Sequence, residues 1–148
     1  MRTSDPGYEA RVRESFARQR VMRTLGARLA SVAPGAVEIR LPFRDDLTQQ
    51  HGFVHAGVVS TIADSACGYA ALSLMPADAA VLSIEYKVNL LAPAEGEELV
   101  ARARVVRAGR NVTVCAADVV ALRAGEETPV ATMLATMMTV RDRPGLRG

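Results

Sequence analysis

The strongest constraint on this chain is one apolar run. From Gly57 to Met75 the only charged side chain is Asp64, and Pro76 follows as a stop. A helix that is apolar on nearly every side must be buried on nearly every side, so the rest of the chain has to wrap it. The stretch from Ala56 to Ala77 also holds Ser60, Thr61, Ser65, Gly68 and Ser73. That is too polar for a membrane span and suits a central helix in a protein core. A carboxylate two turns into such a helix is costly to bury, so Asp64 is expected to have a purpose beyond packing.

The flanking segments predict what does the wrapping. Asp5-Pro6 reads as an N-cap and first helical position, and Tyr8, Val12 and Phe16 recur every four residues. This predicts an amphipathic helix ending near Gly26. Residues 27–32 and 36–43 flank Ala33-Pro34-Gly35 and predict a hairpin, with Val37, Ile39 and Leu41 alternating against Glu38 and Arg40. Four more strand-like runs follow the apolar helix, at 80–91, 98–107, 111–122 and 128–140. Their short connections predict antiparallel pairing between successive strands. The order is helix, two strands, buried helix, four strands. It fits an α+β fold, one antiparallel sheet around the apolar helix, with Glu38, Arg40, Arg102 and Arg104 on its outer face. The length of 148 residues, with no linker or repeat, predicts a single domain over 1–148, its last residues from Arg141 a loose tail.

Charge and cysteine content narrow the function. The formal net charge is only +2, with 17 arginines and the single lysine Lys87, which predicts no nucleic-acid partner. Cys67 and Cys115 lie far apart in apolar segments. They read as reduced buried thiols, which with the absence of a leader-like N-terminal stretch points to a cytoplasmic protein.

The chemistry concentrates in Gln49-Gln50-His51-Gly52-Phe53-Val54-His55-Ala56-Gly57, directly before the apolar helix, and in Asp64 within it. A helix start presents unpaired N–H groups and a positive dipole end, suited to an oxyanion or a thioester carbonyl. His55 reads either as a capping histidine or as part of a site. A zinc set of His51, His55 and Asp64 fits no metal spacing, so no metal is expected.

Residues 52–66, with the apolar helix and the strands after it, resemble the hotdog-fold acyl-CoA thioesterases, most closely the phenylacetate-pathway branch. The resemblance covers about residues 20–141 and includes Val81-Leu82-Ser83-Ile84-Glu85-Tyr86 and the Pro93 to Gly96 turn. Gln49 stands where that family often has Asn, and Ala56 where it has the first Gly after His. The resemblance implies a hotdog, a curved antiparallel sheet around the central helix, here with an extra N-terminal helix. It implies a homodimer or homotetramer with sites at subunit interfaces, and an acyl-CoA substrate with no cofactor beyond its own coenzyme A. Carried across, Asp64 becomes general base or nucleophile, and the N–H of Ala56 or Gly57 polarises the carbonyl. His55 and Gln49 position the site, and Ser83 holds the water or the carboxylate. Arg107 and Arg110, flanking the Ala108-Gly109 turn, would meet coenzyme A phosphates. Phe53, Tyr69, Met75, Met133, Met137 and Met138 are candidates for the acyl pocket, although a Met stripe is more often core. A hotdog dehydratase or hydratase and a non-catalytic acyl-CoA-binding module are the alternatives.

Overall fold

A computed structural model describes all 148 residues. Two short helices, α1 (Tyr8–Arg18) and α2 (Arg20–Leu25), lead into the hairpin β1 (Arg28–Ala33) and β2 (Ala36–Pro42). After a 3-10 turn at Asp45–Leu47 comes the central helix α3 (Ala56–Leu72). The chain finishes with β3 (Ala80–Leu90), β4 (Glu98–Ala108), β5 (Val112–Arg123) and β6 (Glu126–Val140). The six strands form one antiparallel sheet in the order β1-β2-β4-β5-β6-β3. Helix α3 packs on one face of it, the hotdog arrangement.

Alternation along the strands decides which face meets the helix. Val37, Ile39 and Leu41 of β2 and Leu99, Ala101, Ala103 and Val105 of β4 point inward and are buried. They close on Val59, Ile62, Ala63, Ala66, Ala70 and Leu72 of α3. The many alanines let helix and sheet approach closely. The opposite face carries linked ion pairs. Glu38 accepts from Arg40 (2.7 Å) and Arg102 (3.0 Å), Arg102 reaches Glu127 (2.6 Å), and Arg40 reaches Glu98 (3.1 Å). These half-exposed pairs set register more than stability.

The structure corrects several expectations. The first helix starts at Tyr8 rather than Pro6, because Asp5 makes a local turn instead, its Oδ1 accepting from Gly7 N–H (2.8 Å). That helix also breaks at Gln19, whose backbone is extended (φ −76°, ψ 96°). The break turns α2 so that Met22 and Leu25 reach the core, and Gly26 ends it in the left-handed conformation (φ 76°).

Strand β3 does not pair with its successor β4. It lies at the far sheet edge beside β6, and residues 91–97 carry the chain back past the ends of β6 and β5. On the way Leu91 N–H donates to Val130 O (2.9 Å) and Glu97 N–H to Leu122 O (2.8 Å). The link crosses roughly 15 Å of sheet at about 4.8 Å per strand, within reach of seven extended residues.

Helix α3, finally, is not covered all round. Gly57, Thr61, Asp64 and Gly68, spaced four, three and four, form a stripe left partly open beside β3. The terminal segment is also less loose than expected, since Arg18 donates to Gly148 O (2.9 Å).

Arg11 ties α1 to the end of α3. Its guanidinium donates to the carbonyls of Leu72 (2.9 Å), Met75 (2.8 Å) and Pro76. Its Nε lies 3.2 Å from Asp5 Oδ2 without being aimed at it. Leu72 O and Pro76 O also accept from Met75 and Ala79 N–H, so the cation adds a second bond to each, supplies a partner for Met75 O and opposes the negative dipole end of α3. Arg11→Ala is therefore expected to lower stability by roughly 2–4 kcal/mol, read as the urea midpoint at constant m-value. A shift under about 0.5 kcal/mol would show that the carbonyls find water instead.

Candidate active site

The loop before α3 is pinned from both ends. Gln49 N–H donates to Phe53 O (2.9 Å) and Gly52 N–H returns to Gln49 O (3.0 Å), a tight turn that needs Gly52 at φ 83°. His55 N–H donates to Leu47 O (3.0 Å), and Val54 N–H to Ala94 O (2.8 Å). The result delivers His55 as the N-cap of α3.

His55 performs both capping functions of that position. Its carbonyl accepts from Val58 N–H (2.9 Å) and Val59 N–H (3.2 Å), and its ring Nδ1 accepts from Gly57 N–H (2.8 Å). An accepting Nδ1 assigns the neutral ring's proton to Nε2. One first-turn donor is left over: Ala56 N–H has no partner within the chain. Of the two donors considered for a carbonyl, Gly57 is thus engaged and Ala56 is free.

Beside this helix start lies a mostly apolar cleft of about 500 Å³. Gln49, Phe53, His55 and Ala56 line it from the loop side, and Leu90, Leu91, Pro93 and Val130 from the other. The Gln49 side-chain oxygen accepts from His51 N–H, which leaves its amide hydrogens for a ligand. His51 itself is exposed beside Gln50, and no three His, Cys, Asp or Glu side chains converge as a metal site would require.

Asp64 sits two turns further along α3, half-buried against β3. Ser83 Oγ donates to its Oδ1 (2.7 Å). Burial raises the carboxyl above the ordinary Asp range, and the Ser83 hydrogen bond partly offsets this. Asp64 and Ser83 share a cavity of about 230 Å³ with Ser15, Gln19, Gly68 and Tyr69.

Two groups expected together are apart within one chain. Eight positions separate Ala56 from Asp64, about 12 Å along the axis at 1.5 Å per residue. A single thioester carbonyl cannot meet both in one copy. Arg107 and Arg110 are further still. They are exposed, without ion-pair partners, on the β4–β5 hairpin, and Arg110 lies near Leu74 and Met75 at the other end of α3.

Among the pocket candidates, Phe53 lines the first cleft and Tyr69 the Asp64 cavity, whereas Met75, Met133 and Met137 are core and Met138 lies exposed on the outer face. Sequence reasoning misses Ser15, Gln19, Leu90 and Leu91. Gly68, in the middle of an apolar helix, is the one local signal of an opening there.

Comparison with known proteins gives the family and the fold. The family model of the thioesterase superfamily matches residues 51–127, just over half the chain. A crystal structure of a thioesterase family protein from Silicibacter pomeroyi is 58% identical, covering 91% of this chain and 99% of that one, with a TM-score of 0.90. The PaaI protein of the E. coli phenylacetic acid degradation operon shares the fold at 19% identity, with a TM-score of 0.82 over 90% of this chain and 93% of that one. A protein of Halobacterium salinarum that carries an esterase name is 37% identical over 101 residues, 65% of this chain and 66% of its own length, just under two thirds. The 1,4-dihydroxy-2-naphthoyl-CoA hydrolase of Listeria monocytogenes is 26% identical over 94 residues, 64% of this chain and 76% of that protein. From the apolar helix and its capping loop to the sheet order and these matches, the chain belongs to the thioesterase superfamily.

Proposed function

We propose that this protein hydrolyses acyl-CoA thioesters to the free acid and coenzyme A. The observation that carries this reading is the pairing, on one helix, of a half-buried carboxylate held by Ser83 with a first turn whose Ala56 N–H is free. In the base route, Asp64 takes a proton from water as its oxygen attacks the thioester carbon. The Ala56 N–H stabilises the oxyanion, the C–S bond breaks, and the thiolate is protonated on leaving. In the nucleophile route, an Asp64 oxygen attacks the thioester carbon, the C–S bond breaks to release the coenzyme A thiolate, and water then cleaves the mixed anhydride to the free acid and the Asp64 carboxylate. His55 fixes the helix start, and the Gln49 amide lines the same cleft and can donate to the carbonyl. A hydratase would need His55 as a base, but with Nδ1 accepting from Gly57 N–H the neutral ring carries its proton on Nε2 and presents a donor there.

The 12 Å separation supports a site shared by two copies. Strand β3 is a free sheet edge, and Leu82, Ile84, Tyr86 and Leu90 on and beside it are about half exposed. A second copy joined along β3 would cover that edge and the open stripe of α3. Asp64 of one copy would then meet the helix start of the other. A homodimer is the minimum, and a homotetramer would be two such dimers.

The apolar cleft beside Phe53 suits the pantetheine arm, and Arg107 and Arg110 suit its phosphates. Arg110→Ala is expected to raise KM for acyl-CoA several-fold with little change in kcat, because a remote phosphate contact is uniform binding. The difference should shrink at high salt. An unchanged KM at low salt would remove the hairpin from the site.

The reading is tested by thiol release from acetyl-, hexanoyl-, benzoyl- and palmitoyl-CoA. Catalysed release from at least one is expected. Tight binding of these compounds without any release would make the protein a binding module.

A further inference from the structure

We infer that the cavity behind Asp64 is the distal acyl subsite, and that Gln19, Tyr69 and Ser15 select a short acyl group ending in an uncharged hydrogen-bonding function. This rests on the role of Asp64 proposed above, since Asp64 forms one wall of the cavity.

Size is the first argument. The cavity of about 230 Å³ is comparable to cavities of about 150 Å³ that accept a benzene molecule. One substituted ring or a chain of about six carbons fits, and a long alkyl chain does not. Its end is closed by α1 at the Gln19 break, which turns that side chain toward α3.

Polarity is the second. Tyr69 is buried, and its ring is held by Phe16, with centroids 5.8 Å apart at 60°. Its hydroxyl lies 3.5 Å from Gln19 Oε1, a loose contact that leaves the hydroxyl and the Gln19 amide able to turn to a ligand. Ser15 adds a third polar group. Burial pushes the Tyr69 hydroxyl up, so it stays a neutral donor. Ser15 and Gln19 both lie on the Tyr69 hydroxyl, and a purely apolar acyl end would displace water from this cluster without replacing its hydrogen bonds, which costs binding. An anionic end is disfavoured as well, because the Asp64 carboxylate shares the cavity.

Gly68 gives a clean probe. A Cβ added there meets nothing within 4 Å. Gly68→Leu should fill the cavity while improving helix propensity.

The experiment compares kcat/KM for 6-hydroxyhexanoyl- against hexanoyl-CoA and 4-hydroxybenzoyl- against benzoyl-CoA, with acetyl-, adipoyl- and palmitoyl-CoA alongside. Wild type should favour each hydroxylated partner by about tenfold, the worth of one net hydrogen bond, and should turn over adipoyl- and palmitoyl-CoA poorly. Gln19→Leu, near in size but apolar, should lower both ratios several-fold, with Tyr69 and Ser15 holding the remainder. Gly68→Leu should lower kcat/KM for hexanoyl- and benzoyl-CoA at least about tenfold more than for acetyl-CoA. Hydrolysis in wild type with ratios near one that Gln19→Leu does not move would overturn this inference and leave the thioesterase reading standing. Equal turnover of palmitoyl-CoA would also overturn it. Release from none of these compounds would instead remove the reading on which it rests.

Discussion

Asp64→Asn should lower kcat by roughly 10²–10⁴-fold, the usual size of a general-base contribution. The amide keeps the size of the carboxylate and can still accept from Ser83, but it cannot take a proton from water or attack a thioester. Binding of a non-hydrolysable acyl-CoA analogue should change little. The pH dependence follows from burial. Desolvation raises the Asp64 carboxyl, so the acid limb of kcat/KM should fall above the ordinary Asp range and vanish in the variant. Stability runs the other way from a salt-bridged carboxylate. With the folded pKa above the unfolded one, ionisation weakens the fold as pH rises through the folded value, and this cost is absent below the unfolded value. At neutral pH the variant should therefore be as stable as wild type or more so, with the advantage lost in acid. Near-wild-type single-turnover rates in folded Asp64→Asn would end the role assigned to Asp64.

Ala56→Pro should lower kcat by roughly 10²–10³-fold, the size found when one oxyanion donor is removed. The substitution suits this position unusually well. Ala56 is the first residue of α3, where proline is favoured because the N–H has no helical partner. His55, before it, is already extended (φ −59°, ψ 138°), as a residue preceding proline should be. Only the free donor is lost, and the His55 contact to Gly57 can persist. The melting temperature should stay within a few degrees of wild type. A folded variant with full kcat would move the oxyanion contact to Gly57 or to the Gln49 amide.

Much of this architecture was legible in residue order, and the reasons differ by element. The apolar run around Asp64 left no alternative to a central helix, and alternation in β2 and β4 marked the sheet's inner face. The β1–β2 turn was legible because Pro34-Gly35 calls for a positive φ, which Gly35 adopts at 77°. The place of β3 was not. A seven-residue link reads as a local connection, and nothing in 91–97 announces that it crosses two strand ends. The break at Gln19 was equally silent, because Gln and Arg are good helix formers and tertiary packing of Met22 and Leu25 overrides them.

The candidate site divides in the same way. Asp64 stood out because a lone charge in an apolar helix needs an explanation, and Ser83 lies in the strand that faces it. The role of His55 needed geometry. Sequence left capping and positioning open, and the 2.8 Å contact to Gly57 gives the cap. That contact also separates the two helix-start donors, which adjacency in sequence cannot do. The distance between Ala56 and Asp64 was available from the helical rise alone, and it is what makes one chain half of a site.

The most direct measurement joins the two variants. Asp64→Asn and Ala56→Pro chains carrying different tags are co-expressed, and the mixed dimer is isolated by both tags in sequence. If Asp64 of one copy works with the helix start of the other, each mixed dimer holds one intact site and one doubly damaged site. Its rate of thiol release should recover to about half that of wild type, far above either variant alone. A mixed dimer that stays folded and paired but releases thiol only at the mean rate of the two parent variants would contradict the shared site, and with it the pairing of Asp64 and Ala56 in catalysis.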